Sequence, residues 1–480
     1  MLNLIKSNKT NIFLIGIFIA YLVLCFYIGT FHEQWTDEAQ SWLLARDCSI
    51  KELIFDNLKY EGHPILWYLF LKVAQFFHLK FDDLNFLSLF FGSIGVYILL
   101  FKTKLPMFFK ATIPFSYWVF YQYSIIARNH SLVFPILMLI AIIYPQKETK
   151  IIKYSILLIL LANVSMHGYF ISFILFIDFI ISLYKKITLK QSIPLFFIVL
   201  NYIFTILYLQ TPADVSFPAG FIEFKNLFFA IINTTGNIFF NASMQENSTD
   251  SISIFFAIFT IYLICKTINT LCVNKYQKWF LYILNFTLLT ILCIFYNQDW
   301  HLGYEFLIVV FSLAVMCNTN HLQLEFKNNK LFYICFGIVI FIQLLWSFKS
   351  SILETKFVFC PNKKIAEYIK KNNLENKTII GMEFNVTSIN PYFEKNIFSN
   401  TPKSYWYWKE NSFIDVITHK EKPIIILDWK GLDTILQRTE INELDKNYNS
   451  TNFHGELISK GIFKENLDII VLLPKEKEAK

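Results

Sequence analysis

Charge is what this 480-residue sequence has least of. Only 16% of its residues are charged against 55% hydrophobic, a balance that excludes both an ordinary soluble domain and a disordered chain. Arginine is scarcer still. Of 43 basic residues only Arg46, Arg128 and Arg438 are arginine. Where a position that merely needs positive charge has become Lys, a surviving Arg marks use of the planar guanidinium fork, and this singles out Arg128. Cysteines at metal-binding spacing are missing: no C-x-x-C occurs, and Cys25, Cys265, Cys272, Cys293, Cys317 and Cys335 lie in apolar runs as core residues. No zinc site is indicated. Cys48 and Cys360 fall outside those runs, which leaves a single disulfide open. No small-residue cleavage site follows the first apolar run, so that run reads as a retained anchor. The net charge of +7 is no argument for a nucleic-acid partner, because positive charge in so apolar a chain marks cytoplasmic loops.

What the sequence has instead is a succession of apolar segments. Crossing the hydrocarbon core takes roughly 20 helical residues. Segments near 11–30, 84–101, 107–126, 131–145, 152–168, 169–184, 191–209, 251–265, 279–296, 302–318 and 331–349 approach that length. The expected fold class is a polytopic α-helical membrane protein of about eleven transmembrane helices. An odd number of crossings puts the termini on opposite sides. Lys6/Lys9, Lys102/Lys104/Lys110, Lys147/Lys150/Lys153, Lys185/Lys186/Lys190, Lys266/Lys275/Lys278 and Lys327/Lys330 then share one face, which the positive-inside rule makes the cytoplasm. Residues 31–83, 210–250 and the chain beyond 350 are expected outside. Within the first of these, HPILWYLFLKVAQFFHLK (63–80) is aromatic but interrupted by Lys72, Gln75 and His78, a pattern for a helix lying in the interface.

The chain divides into a transmembrane part, 1–350, and a different C-terminal part, 351–480. In the latter KKIAEYIKK (363–371) reads as a polar helix, and TIIGMEF (378–384), PIIILDW (423–429) and DIIVLLP (468–474) as short strands, a small extracytoplasmic α/β domain. Its aromatic run SYWYW (404–408) either fills a core, the simpler reading, or contacts a glycan.

Ionisable groups embedded in a membrane are costly and usually functional, and here they gather at the outer ends of the segments. Asp37 and Glu38 follow the first; Glu61 and His63 open the interfacial helix; Arg128 and His130 lie in IIARNHSL; His167 in MHGYF; Asp299 and His301 in NQDWHLGYE. Each has a plainer explanation. Thr36 with Asp37 and Glu38 makes a good helix start, a hydroxyl N-cap followed by acids favoured by the dipole, and Arg128 can snorkel to headgroup phosphates. Jointly they describe a site for an anionic lipid headgroup beside a carboxylate. Asp178, about ten residues or 15 Å below that mouth by helical rise, is too deep for it and reads as an interhelical contact.

Three of these stretches, W-T-D-E-A-Q (35–40), E-G-H-P-I-L-W-Y (61–68) and Y-S-I-I-A-R-N-H-S-L (123–132), resemble the GT-C superfamily of membrane glycosyltransferases, in the branch of the protein O-mannosyltransferases, the lipid A aminoarabinose transferase and the RgtA/B/C/D-like proteins. W-H-L-G-Y-E-F (300–306) adds to it weakly. The resemblance implies sugar transfer from a polyprenyl-phosphate carrier to an acceptor hydroxyl, on the outer face of a bacterial cytoplasmic membrane. Asp37 would be the catalytic base with Glu38 beside it; His63 and Arg128, with His130 and His301, would hold the donor phosphate; Glu61, His167 and Asp299 would line the substrate site. The sequence departs from the family pattern at His130, where relatives tend to carry Tyr, and at Pro64-Ile65, where many have Pro-Pro. No cofactor is required, although some relatives use a divalent metal, for which Glu61 with His63 or His301 are candidate ligands. The partners implied are the lipid-linked donor, a lipid, polysaccharide or protein acceptor, and the bilayer. A lipid-linked glycan flippase or polymerase, or a non-catalytic membrane scaffold, are the alternatives; a flippase needs ionisable groups along its whole path, and a scaffold needs no such cluster.

Overall fold

A computed structural model describes residues 2–184, 188–215, 223, 226–240, 251–272, 275–295, 299–320, 329–408, 422–436, 444, 446–459 and 463–475. Among them eight helices are long and apolar enough to cross a membrane: Lys9–Gly29, Phe81–Phe101, Asn129–Gln146, Met166–Leu183, Gln191–Tyr208, Ser251–Leu271, Lys275–Ile294 and Lys330–Lys356. Their outer faces leave Ile12, Phe13, Phe196, Phe197, Phe255, Phe341 and Phe348 exposed, far more apolar surface than water tolerates on one molecule. The inner faces join in one continuous hydrophobic core. A polytopic helical body with a small sheet domain is therefore the architecture.

The three other expected spans differ in kind. Over 107–126 the chain forms a short α-helix, Met107–Thr112, a 3-10 turn at Ile113–Phe115 and a π-turn at Trp118–Gln122. Pro114 cannot continue an α-helical ladder, and residues 117–127 are all buried, so this segment is an irregular plug inside the bundle; Tyr117 stacks on Trp346 at 3.9 Å. Ile151–Ala162 has 12 residues, about 18 Å by helical rise. Gly303–Asn320 is buried on every side from Tyr304 to Cys317.

Asp178 pairs with Lys147 and accepts from Tyr276 at 2.7 Å, closing three helices together as a structural contact. The helices that begin near Asp37, Phe81–Phe101 and Asn129–Gln146, end at the Lys102 and Lys147 loops. All eight cysteines are free. Cys48 and Cys360 lie in separate apolar clusters, so the open disulfide does not form.

The C-terminal part opens with helix Asn362–Lys371. Its strands are β1 (Ile379–Met382), β2 (Ile424–Asp428), β3 (Tyr448–Phe453), β4 (Glu456–Ser459), β5 (Phe463–Asn466) and β6 (Ile469–Pro474). The main sheet has the order β1-β2-β6-β3, with β1 and β2 parallel and the rest antiparallel. The three runs read as strands are β1, β2 and β6, buried because both faces are covered. At the end of β2, Asp428 caps the helix Trp429–Leu436 through the Gly431 N–H, 3.0 Å.

Candidate functional site

The helix Thr36–Asp47 leaves the first span and runs under the C-terminal domain. Its start differs from the expected hydroxyl cap. Trp35 is the capping residue, Glu38 reaches back to the Trp35 N–H at 3.0 Å, and the Thr36 hydroxyl donates instead to Asn385 of the domain at 3.0 Å. Its far end is closed by the interfacial helix, Leu66–Phe76. Lys72 donates to the carbonyls of Ala45 (2.7 Å) and Cys48 at the helix's C-terminal end, where a cation is favoured, and Gln75 donates to that of Trp42 (2.9 Å). Lys72 and Gln75 thus face protein, while Val73, Phe76 and Phe77 are exposed, as is His78 just beyond the helix end.

One turn into the exit helix, the two adjacent carboxylates part company. Asp37 is partly open and pairs with Arg128, 2.5 Å from Nη1 to Oδ2. Glu38 is fully buried and accepts from the N–H groups of Trp35 and Ala127 (3.0 and 2.5 Å) and from His32 Nε2 (3.0 Å). On its other side His32 donates from Nδ1 to Glu354 at 2.9 Å, and Tyr121 donates to the same carboxylate. Burial alone would depress the imidazole, but Glu38 and then Glu354 overcome it and lift its pKa to about 10. Glu38 is thus fully engaged in holding the backbone before Arg128, while Asp37 faces the opening.

Arg128 also donates from Nη2 to His63 Nε2 at 3.5 Å. Guanidinium cannot accept, so the neutral ring carries its proton on Nδ1, which is buried without a partner among the described residues. Burial, then Arg128 and His167, drive the His63 pKa down to about 3. Burial and the neighbouring His167 and His130 likewise push His301 well below the ordinary range. The site's positive charge therefore rests on Arg128, with neutral imidazoles around it. His130 bonds Tyr304 (2.8 Å), which also meets Ser165 (2.6 Å); the rings of His167 and His301 lie 4.5 Å apart, those of His130 and His301 5.5 Å. Asp299 is described only as backbone, at the start of the one-turn helix Asp299–His301, and its side chain lies outside the described part, as does Arg438.

Glu61 is recessed behind Asp37. Gln40 donates to it at 2.8 Å, and the indole of Trp408 reaches the same carboxyl. Burial lifts its pKa to about 7; Asp37 adds to this, while Gln40, Arg128 and Trp408 oppose it. Gln40 in turn clasps the backbone of Trp406 through both amide atoms, 2.8 Å each. The run 404–408 divides: Tyr405 fills a core with Leu43, Leu44, Leu53 and Tyr68, whereas Trp406, Tyr407 and Trp408 are half-buried.

No family model, curated protein or solved structure matches this chain.

The geometry must therefore speak by itself. It gathers Asp37, Glu61, His63, Arg128, His130, His167 and His301 at one end of the bundle, from five separate stretches of chain. Among the described residues no group of three or more His, Cys, Asp or Glu is arranged to hold a metal ion, and Glu61, His63 and His301 do not form one. Sequence reasoning missed His32, Gln40, Tyr304 and Glu354, and marked Trp408 only as part of the run 404–408. For Glu354 a signal existed, a lone acid in the last turn of a long apolar helix; for the others none stood out from their neighbours.

Proposed function

We propose that the chain is a glycosyltransferase that moves a sugar from a polyprenyl-phosphate carrier to an acceptor hydroxyl at the outer face of a bacterial cytoplasmic membrane. The observation that carries this reading is the Asp37–Arg128 pair at the end of an apolar helical body, with the unpartnered Nδ1 of His63 beside it. The chemistry needs no more. A polyprenyl phosphate is stable as an anion and needs no general acid; it needs a guanidinium and N–H donors to neutralise it, and the acceptor needs one base. In the resting site Arg128 is held by Asp37. A bound phosphate takes over the guanidinium and leaves Asp37 a free carboxylate. The acceptor oxygen then attacks the anomeric carbon, the bond to the phosphate oxygen breaks with its electrons leaving on phosphate, and Asp37 takes the hydroxyl proton. Glu38, His32 and Glu354 act as positioning residues for the turn that bears Arg128.

The sidedness belongs to the same proposal. The eight long helices, together with Ile151–Ala162, the buried Gly303–Asn320 and the irregular plug, make up the eleven segments, with the N-terminus and the lysine loops cytoplasmic and Asp37 and the C-terminal domain outside. Lys102 and Lys147 standing at the far ends of helices that begin near Asp37 supports that orientation.

The test is sugar transfer from a panel of polyprenyl-phosphate sugars by the purified protein and Asp37→Asn. The variant is expected to lose about 10²- to 10⁴-fold in rate, and the product to have inverted anomeric configuration. A folded Asp37→Asn protein transferring at the wild-type rate, or a retained product, overturns the mechanism.

A further inference from the structure

The site has two halves of opposite character. On one side stand Arg128 and the imidazoles. On the other, the C-terminal domain brings an aromatic wall against the carboxylates. Phe384 lies 4.7 Å from Trp408 and 6.0 Å from Trp406, the two indoles are 6.1 Å apart and steeply inclined, and Tyr407 packs on Tyr60 at 5.1 Å. Phe384, Trp406, Tyr407 and Trp408 are each half-buried. This wall is a built feature. Gln40 fixes the Trp406 backbone by two hydrogen bonds, Trp408 meets Glu61, and Tyr405 just before them is anchored in a core. Glu383, immediately before Phe384, holds a positive φ of 74°, a conformation that a non-glycine residue keeps only where the surroundings enforce it.

We infer that Trp406, Trp408 and Phe384 form the acceptor subsite and that the acceptor is an uncharged saccharide. The assignment rests on the glycosyltransferase reading and names its substrate class. An indole face presents negative π density to the slightly positive C–H face of a pyranose, and a ligand site of this kind needs only a few polar groups to fix orientation. Glu61 and Asp37 are those groups, both able to accept from hydroxyls, with Gln40 holding Glu61 in place. The same carboxylates, with Glu383 and Asp428 behind the wall, repel a phosphorylated or carboxylated acceptor, while the donor phosphate has Arg128 on the other side.

The test is binding, measured without donor by saturation-transfer NMR and calorimetry on the full-length protein in nanodiscs. The probes are maltotriose and chitobiose, set against glucose 6-phosphate and a Ser-Gly-Ser peptide. The neutral saccharides are expected to bind; Trp408→Ala and Trp406→Ala weaken them about tenfold, and Trp408→Phe, which keeps a ring but not the N–H, stays within about threefold. The inference is overturned if neither neutral saccharide binds, if the phosphosugar or peptide binds more tightly, if the double alanine variant binds as the wild type does, or if Trp408→Phe loses as much as Trp408→Ala. Saccharide binding with no transfer from any lipid donor would keep the subsite and sink the transferase reading. Transfer to the peptide without saccharide binding would do the reverse.

Discussion

At the scale of single residues the site separates charges that look alike in the sequence. Asp37 and Glu38 are neighbours, yet one is open and paired with Arg128 while the other is sealed among four donor contacts. Arg128→Lys keeps the charge but not the fork that spans Asp37 and His63; the expected outcome is a KM for donor raised about tenfold or more with a smaller change in kcat, read from initial rates. Glu61 supplies a pH signature. Its folded pKa of about 7 means that it ionises across neutral pH, adding negative charge beside Asp37 and making that carboxylate a better base. Transfer is expected to rise with pH through about 7, and Glu61→Gln to remove that inflection, as a pH–rate profile will show. Asp37, His63, Arg128, His167 and His301 were legible because an ionisable group at the end of an apolar run carries a cost that demands a reason. Glu38 was legible as a residue and not as a role, since only the fold shows which way each of two adjacent carboxylates turns.

Among elements, the decisive junction joins the exit helix, the turn before Arg128 and the last span through His32, Glu38 and Glu354. Removing one member of a buried ionic network costs about 3–5 kcal/mol, so His32→Leu is expected to lower the thermal midpoint sharply, measured in detergent or nanodiscs. The imidazole's pKa rises from 6.5 to about 10 on folding. Its contribution is therefore complete below about pH 6.5 and is lost as pH climbs toward 10; the wild type should melt progressively lower over that interval, and His32→Leu should not follow the trend. A second junction is steric. A side chain at Gly303 would meet the Tyr123 hydroxyl at 2.3 Å and the Trp118 ring at 2.6 Å, so Gly303→Val is expected to destabilise the bundle and disturb the neighbouring histidines. The long apolar helices and the three core strands were visible in periodicity and length. The plug at 107–126 was not, because hydropathy counts apolar residues and does not register that Pro114 breaks the ladder or that residues 117–127 have protein on every side.

For the whole molecule, the proposed orientation, argued from the lysine loops, can be read by labelling. Lys395→Cys in the C-terminal domain is expected to react with an impermeant maleimide in intact cells, and Lys150→Cys only after permeabilisation, both positions being exposed; the opposite pattern would reverse the assignment of sides. The division into an apolar body and a polar C-terminal domain was plain from composition, whereas the way the domain closes the site was not, since Thr36–Asn385, Gln40–Trp406 and Arg46–Phe393 join residues more than three hundred positions apart. That separation has a consequence for how the protein is made. The chain emerges from its N-terminus, so His32, Glu38 and the Arg128 turn are made long before Glu354 has been synthesised. Until the last span arrives, the imidazolium has one carboxylate instead of two and the Tyr121 hydroxyl has no acceptor there. Arrival of the final helix is then the event that completes this buried junction, so the turn bearing Arg128 is fully braced only once the last span has been made.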